Sequence, residues 1–267
     1  MTQQAAQVEG SVSKQSKVFW FFFSKKNCFL LMLLQAPWRV QSYDEIVSTQ
    51  DIALEAARSG EKGQLAVIAN RQTGGRGRAG RVWHAPVGNL NFSALVRPAG
   101  EGGAAGAWSL LAGVAVFEAA AAFGAAGLVL KWPNDLLLEG GKVGGVLIDS
   151  AMTAGGAVDW VVIGVGVNLA LAPEVAGRAT ACLADAGVRV AAEDFAAALM
   201  RELDRWRGAG FAAVRDAWLA RAHPAGTWLR VQRGKEVIEG RFLGLTEDGR
   251  LRIEGGGDVA SGEVEVI

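Results

Sequence analysis

Apolar runs of strand length, broken by glycine, limit this chain more than any other feature. Residues 143–151 and 160–168 are two such strands, with a Gly155-Gly156 turn between them. Residues 38–47, 65–69, 89–96 and 128–132 read as further strands, the last ending at Pro133, where a ladder must stop. Helices are fewer. Ser48-Thr49-Gln50-Asp51 opens one, with apolar Ile52, Leu54, Ala56 and Ala57 behind it and Gly60 at its stop. Residues 104–123 form an apolar helix, and 192–207 and 211–222 form amphipathic ones. The predicted fold is α+β: a mixed sheet with helices packed mainly on one side.

After Pro224 the texture changes. Residues 228–232, 236–245 and 250–254 are short strands, with turns at Arg233-Gly234 and Asp248-Gly249. This tail is too small to hold much core alone, so it reads as a small β-barrel leaning on the main body. The expected division is a tail over 1–38, a main domain over 39–222 and the barrel over 223–267.

The first segment matches neither. An aromatic run at 18–23 and an apolar run at 28–34 are split by Lys25-Lys26, and each is too short for a span of ~20 residues. As a secretory signal it would have a basic region at Lys25-Lys26 and a poor cleavage site at Leu34-Gln35-Ala36. We prefer a start codon placed too far upstream, or a non-functional tail, because no helical or strand periodicity joins the segment to the main domain.

Composition narrows the chemistry. Formal net charge is +0, with no basic stripe of the kind nucleic-acid binders carry. The two cysteines, Cys28 and Cys182, lack metal-ligand spacing, and the two histidines, His84 and His223, cannot build a histidine metal cluster. Chemistry must therefore rest on Lys, Arg, Asp, Asn and backbone groups.

Gly75-Arg76-Gly77-Arg78-Ala79-Gly80 satisfies the dinucleotide pattern G-x-G-x-x-G, but the adjoining Arg81-Val-Trp-His-Ala-Pro86 cannot open a helix of useful length. The stretch instead alternates guanidinium groups, suited to carboxylate and phosphate, with small residues. No P-loop is present. Three companions accompany it: Lys131-Trp-Pro-Asn-Asp135, Gly141-Lys142-Val-Gly-Gly145, and Gly164-Val-Gly-Val-Asn168. Singly, each has a plain explanation as a solvated turn, a strand-end turn, a hairpin with a gatekeeper lysine, or close sheet packing. Ser48 or Thr49 could likewise be only an N-cap. Together they set Arg, Lys, Asn and Asp at the ends of glycine-lined strands, where a ligand would be clamped.

In this order, Ser48-Thr49, Gln72, Gly75 to Arg81 with Trp83, Lys131 to Asp135, Lys142 to Gly145 and Gly164 to Asn168 resemble the biotin–protein ligases. The resemblance covers about residues 39–267. It implies an α+β catalytic domain followed by a small SH3-like barrel. It also implies ATP and biotin as substrates, with Mg²⁺ carried on the ATP phosphates and no metal held by the protein. The acceptor would be a lysine of the biotin carboxyl carrier protein, in the cytoplasm, with no nucleic acid or membrane partner. Residues 1–38 are too short for the DNA-binding domain that some members carry. A homodimer is left open.

The resemblance also distributes roles. Ser48, Thr49, Gln50 and Gln72 would bind the ureido ring of biotin, and Arg76, Gly77 and Arg78 would close over the acyl-adenylate. Lys142, beside Gly145, would bridge the biotin carboxylate and the α-phosphate. Arg78, Arg81, Lys131, Asn134 and Asn168 would serve ATP, Asp135 would accept the proton of the incoming lysine, and Trp83 would pack the loop. Gln50 stands where many relatives carry Asn, so its longer amide is expected to shift the cap or one ureido contact. Other readings are a lipoate ligase or octanoyl transferase of the same fold, a biotin-responsive regulator, and a plain binding module. Cys182, in an apolar stretch read as helical, looks like a core residue and not a nucleophile.

Overall fold

The computed structural model describes residues 17–20, 37–98 and 105–267. In chain order the main body contains β1 (Lys17–Trp20), β2 (Arg39–Ile46), α1 (Thr49–Arg58), β3 (Leu65–Gln72), β4 (Leu90–Val96), α2 (Ala105–Ala122), β5 (Leu128–Lys131) and β6 (Asp135–Leu138). It continues with β7 (Gly141–Met152), β8 (Val158–Val167), α3 (Ala192–Arg207) and α4 (Phe211–Leu219). The eight strands form one sheet in the order β1-β2-β3-β4-β8-β7-β6-β5. Strands β2 and β3 run parallel, with α1 as their crossover, and the other neighbours are antiparallel.

The pleat divides the sheet into two faces. Leu65 and Val67 of β3 pack with Ala53, Leu54 and Ala57 of α1. Ala66 and Ile68, one residue out of phase, join the larger core with α2 and α3. Helix α2 is apolar all round because the sheet, α3 and α4 surround it. The mixed sheet is thus as expected, with α1 alone among the four helices covering the second face.

The C-terminal part consists of β9 (Trp228–Arg233), β10 (Glu236–Leu245), β11 (Leu251–Ile253), β12 (Gly257–Val259) and β13 (Glu263–Val266). They form an antiparallel sheet in the order β12-β11-β10-β9-β13, with its ladder open at both ends, so the expected barrel does not close by hydrogen bonding. Its buried Leu229, Val231, Phe242 and Ile253 belong to the same core cluster as the main body. The Trp132 indole donates to the Gly249 carbonyl at 3.2 Å across this junction.

Four local expectations need correction. The turn after Pro133 is followed by β6, a strand that is paired on both sides. Strand β3 continues to Gln72, because its polar end still pairs with β2 and the exposed Arg71–Glu45 ion pair spans the two. The stretch at Cys182 is a single 3₁₀ turn, Leu183–Ala186, with Cys182 buried before it. Part of the N-terminal tail, Lys17–Trp20, pairs with β2, whereas residues 1–16 and 21–36, including Cys28, lie outside the described residues. Among the described residues no helix is long and apolar enough to cross a membrane.

Candidate active site

All four motifs line one cleft of about 980 Å³, between the strand ends of the main sheet and the edge of the C-terminal sheet. The glycine–arginine loop and Lys142 therefore face the same space, as a shared ligand clamp requires.

One end is neutral and buried. Ser48 accepts from the Gln50 amide at 3.2 Å and caps α1, so its hydroxyl is engaged locally. That cap turns Thr49 and Gln50 inward. The Gln72 side-chain oxygen accepts from the Thr49 backbone amide at 2.7 Å, and Gln72 Nε2 donates to Asn91 at 2.9 Å. Thr49 Oγ1 lies 2.8 Å from Ser93 Oγ, which donates to Gln50 Oε1 at 2.9 Å. Gln50 Nε2 reaches Asp149 at 2.9 Å and the Val162 carbonyl at 3.4 Å. The longer amide is thus accommodated at β8, where a Cβ on Gly164 would sit 2.5 Å from Gln50 Oε1. The motifs in the sequence do not point to Asn91, Ser93 or Asp149. The available signal for two of them was a polar alternation, Asn91 and Ser93 in apolar β4 with Asn89 just before it; the pleat turns Asn91 and Ser93 to one face.

The other end is charged. Asp135 opens β6, and β7 brings Lys142 against it, with the ammonium 2.6 Å from Oδ1. Lys131, opposite Asp135 in the β5–β6 register, approaches Oδ2 at 3.4 Å. Burial opposes a charge on Asp135, but Lys142 and then Lys131 outweigh it and hold its carboxyl below the usual range. Asn168 is 2% exposed, and its amide group donates to the carbonyls of Lys142 and Ala181 at 3.2 and 3.0 Å. Its Oδ1 is buried without a partner. His223, after α4, also lines this end; burial and then the Lys131 charge lower its pKa.

Between the ends lies the loop. Arg78 donates to Asn134 Oδ1 at 2.9 Å, and burial lowers its pKa, partly offset by Asp135. Arg76 turns outward to Asp51 at 2.6 Å, in an exposed pair. Arg81 is held by Glu263 of β13 at 2.6 Å, and Glu263 also approaches Arg178, from the loop after β8, at 3.5 Å. Trp83 lies flat on Gly166, where a Cβ would come within 2.2 Å of its ring; only glycine allows that approach. Lys142 Nζ sits 5.7 Å from the same ring. A Cβ on Gly145 would lie 3.1 Å from that ammonium, so small residues at both positions keep the cleft open. Gly77 backs the loop by donating its amide to the Arg81 carbonyl at 2.7 Å.

Comparison with known proteins agrees with this arrangement. Residues 44–168 match the Biotin/lipoate A/B protein ligase family, and residues 230–266 match the Biotin protein ligase C terminal domain. A biotin–[acetyl-CoA-carboxylase] ligase of Paracoccus denitrificans is 38% identical over 78% of this chain and 91% of its own length. Its namesake in Mycobacterium tuberculosis is 36% identical over 80% and 83%. A biotin protein ligase of Aquifex aeolicus, solved with biotin and ATP, superposes with a TM-score of 0.71 at 26% identity, covering 85% of this chain and 98% of that one. With four separate motifs building one cleft and the likeness running along most of its length, the chain belongs to the biotin protein ligase family.

Proposed function

We propose that the biotin carboxylate attacks the α-phosphate of ATP, giving biotinyl-5′-AMP and pyrophosphate, and that a lysine amine of the biotin carboxyl carrier protein of acetyl-CoA carboxylase then takes the biotinyl group, releasing AMP. One observation carries the reading: a neutral hydrogen-bonding end and a polycationic end share one cleft, with Lys142 facing both. The first end suits a ureide and the second an acyl–phosphate junction.

Thr49, Gln50 and Gln72 read the ureido ring, with Ser48 fixing the turn that presents them. Lys142 exchanges Asp135 for the biotin carboxylate and the α-phosphate as charge gathers there. Asp135 orients Lys142 before substrate binds and, once Lys142 turns to the substrate anions, is placed to accept the proton of the incoming lysine amine. Arg78 and Lys131 add cations beside the phosphates, Arg81 ties the loop down, and Gly145 keeps the approach open. Asn168, donating to the carbonyls of Lys142 and Ala181, braces the strand that presents Lys142 to the phosphates. Asn134 positions Arg78. With Arg76 directed to Asp51, closure of the loop over the adenylate requires that pair to open.

Mg²⁺ fits as an ion carried by the triphosphate. Among the described residues each carboxylate lining the cleft is paired: Asp135 with Lys142 and Lys131, Glu263 with Arg81, and Glu265 with Arg230. We place the domain boundary between residues 222 and 223 and the reaction in the cytoplasm, where ATP and the carrier are made. A homodimer through the β2 edge would have to displace β1, which already pairs there. A lipoate ring has no N–H groups for the Thr49–Gln72 end, which argues against the lipoate reading.

The test is to incubate the purified chain with biotin, MgATP and an acceptor biotinyl domain, and to map the product by mass spectrometry. Biotin on one acceptor lysine is the expected result. Absence of both labelling and biotin-dependent pyrophosphate release overturns the proposal.

A further inference from the structure

The neutral end of the cleft holds fewer hydroxyl hydrogens than contacts. Thr49 and Ser93 supply one hydrogen each, yet three oxygen–oxygen contacts connect them to each other and to two amide oxygens. Thr49 Oγ1 lies 3.1 Å from Gln72 Oε1 and 2.8 Å from Ser93 Oγ, and Ser93 Oγ lies 2.9 Å from Gln50 Oε1. One of the three contacts has no hydrogen.

The other partners of each amide oxygen decide which contact is empty. Gln72 Oε1 already accepts from the Thr49 backbone amide at 2.7 Å. Gln50 is 3% exposed, and Ser93 is the donor to its Oε1. A buried acceptor left empty is costly, so Ser93 gives its hydrogen to Gln50. Of the two acceptors within reach of the Thr49 hydroxyl, Ser93 Oγ at 2.8 Å is closer than Gln72 Oε1 at 3.1 Å, so Thr49 gives its own hydrogen to Ser93. The vacant contact is the Thr49 Oγ1 and Gln72 Oε1 pair, two acceptors facing the cleft, and that pair calls for a donor from the ligand.

The pattern depends on the orientation of the Gln50 amide. A carboxylate only accepts, so Asp149 at 2.9 Å requires Nε2 on its side and Oε1 on the side of Ser93. The Val162 carbonyl acts in the same sense at 3.4 Å, beyond the best hydrogen-bonding distance. Were the amide to flip, Ser93 would accept from Nε2 and donate to Thr49. Thr49 would then donate to Gln72, and the acceptor pair would be filled. Asp149 does not line the cleft; it lies in a separate shallow groove with Asp51, Glu55, Arg58 and Arg76.

We infer that Asp149 is a positioning residue for substrate selection: by anchoring Gln50 it sets the direction of the hydroxyl chain, so that Thr49 and Gln72 read a ligand N–H. This rests on the ligase reading, in which a ureide N–H is that donor. Biotin-dependent ATP–pyrophosphate exchange by the full chain tests it, run with biotin and with a cyclic carbamate analogue that has oxygen in place of one ureide N–H. Asp149→Leu should raise KM for biotin about tenfold and cut the preference for biotin over the carbamate by a similar factor. KM for ATP should move by less than about threefold. Ser93→Ala, with Asp149 intact, should erode the same preference, and Asp149→Asn, which keeps an acceptor oxygen, should fall between. Should Asp149→Leu not fold, Ser93→Ala decides. An undiminished preference, or an equal rise in KM for biotin and carbamate, overturns the inference. No exchange by the unmodified chain overturns the ligase reading instead.

Discussion

The neutral end of the cleft is buried and closed on itself by hydrogen bonds, whereas the charged end is partly open and keeps its cations in ion pairs with its own carboxylates. The contrast fits the task that the proposed function gives each end. A selecting site gains from groups fixed before the ligand arrives, because a wrong ligand then leaves them unpaired. A site for charge transfer needs cations that can leave one anion for another as charge moves. On the proposed function Asp135 is a stand-in for the substrate anions, and the side chains of Lys142 and Lys131 remain about a fifth exposed, open to exchange.

The sharpest way to break this division is at Lys142. If the charged end performs the chemistry, Lys142→Ala should slow biotin-dependent pyrophosphate release by about 100- to 1,000-fold, while biotin binding by the neutral end changes far less. Isothermal titration with biotin alone, set beside the release assay, separates the two. Near-normal release would remove Lys142 from the mechanism.

Arg78 lies where the two ends meet, so its loss should affect retention more than formation of the intermediate. Arg78→Gly should raise the rate of biotinyl-AMP escape by about 10- to 100-fold, the range of a charged hydrogen bond. Escape would appear as labelling of bystander proteins mixed with the enzyme. Tight retention would show that the loop is held by other contacts.

Asp135→Asn asks whether the stand-in carboxylate stabilises the fold as well as the site. Its carboxyl is held below the usual range, so folding favours the charged form. That contribution is complete above the unfolded value of about 4 and is lost as pH falls through the lower folded value. The variant leaves two ammonium groups without their partner and should lose about 2–4 kcal/mol at neutral pH. Thermal melts of both proteins from pH 7 down should draw together once pH falls below the unfolded value of about 4 and meet only below the lower folded value. Parallel curves would mean that the pair contributes little to folding.

The charged end was the more legible of the two in the amino-acid sequence. Lysine and asparagine at the mouths of glycine-thinned strands are rare enough to stand out, and all of them line the cleft. The neutral end was legible only in part. Ser48, Thr49, Gln50 and Gln72 stand in or beside motifs, but Asn91 and Ser93 show only as a polar alternation, and Asp149, a single polar residue in an apolar strand, carries no local mark; pairing between strands distant in sequence brings all three into the network. Strand β6 was hidden for a similar reason: its four residues come after a Pro-Asn turn, and only pairing with β5 and β7 makes them a strand. The open edge of the C-terminal sheet is likewise set by register, which short strands with exposed faces specify weakly.

The smallest effect should come from the rim, where the C-terminal sheet touches both loops through one side chain. Glu263 pairs with Arg81 at 2.6 Å and with Arg178 at 3.5 Å, and all three side chains are more than a third exposed. Exposed pairs contribute about 0–1 kcal/mol each and weaken with salt. Glu263→Ala should therefore raise KM for ATP by about two- to fivefold at low ionic strength, with the difference shrinking at ~0.5 M salt. Biotin binding should not change, because neither arginine is part of the hydrogen-bonded chain around Thr49. If instead both KM values rise together, the C-terminal sheet supports the whole cleft and not just its phosphate side, and the two ends are less independent than their chemistry implies.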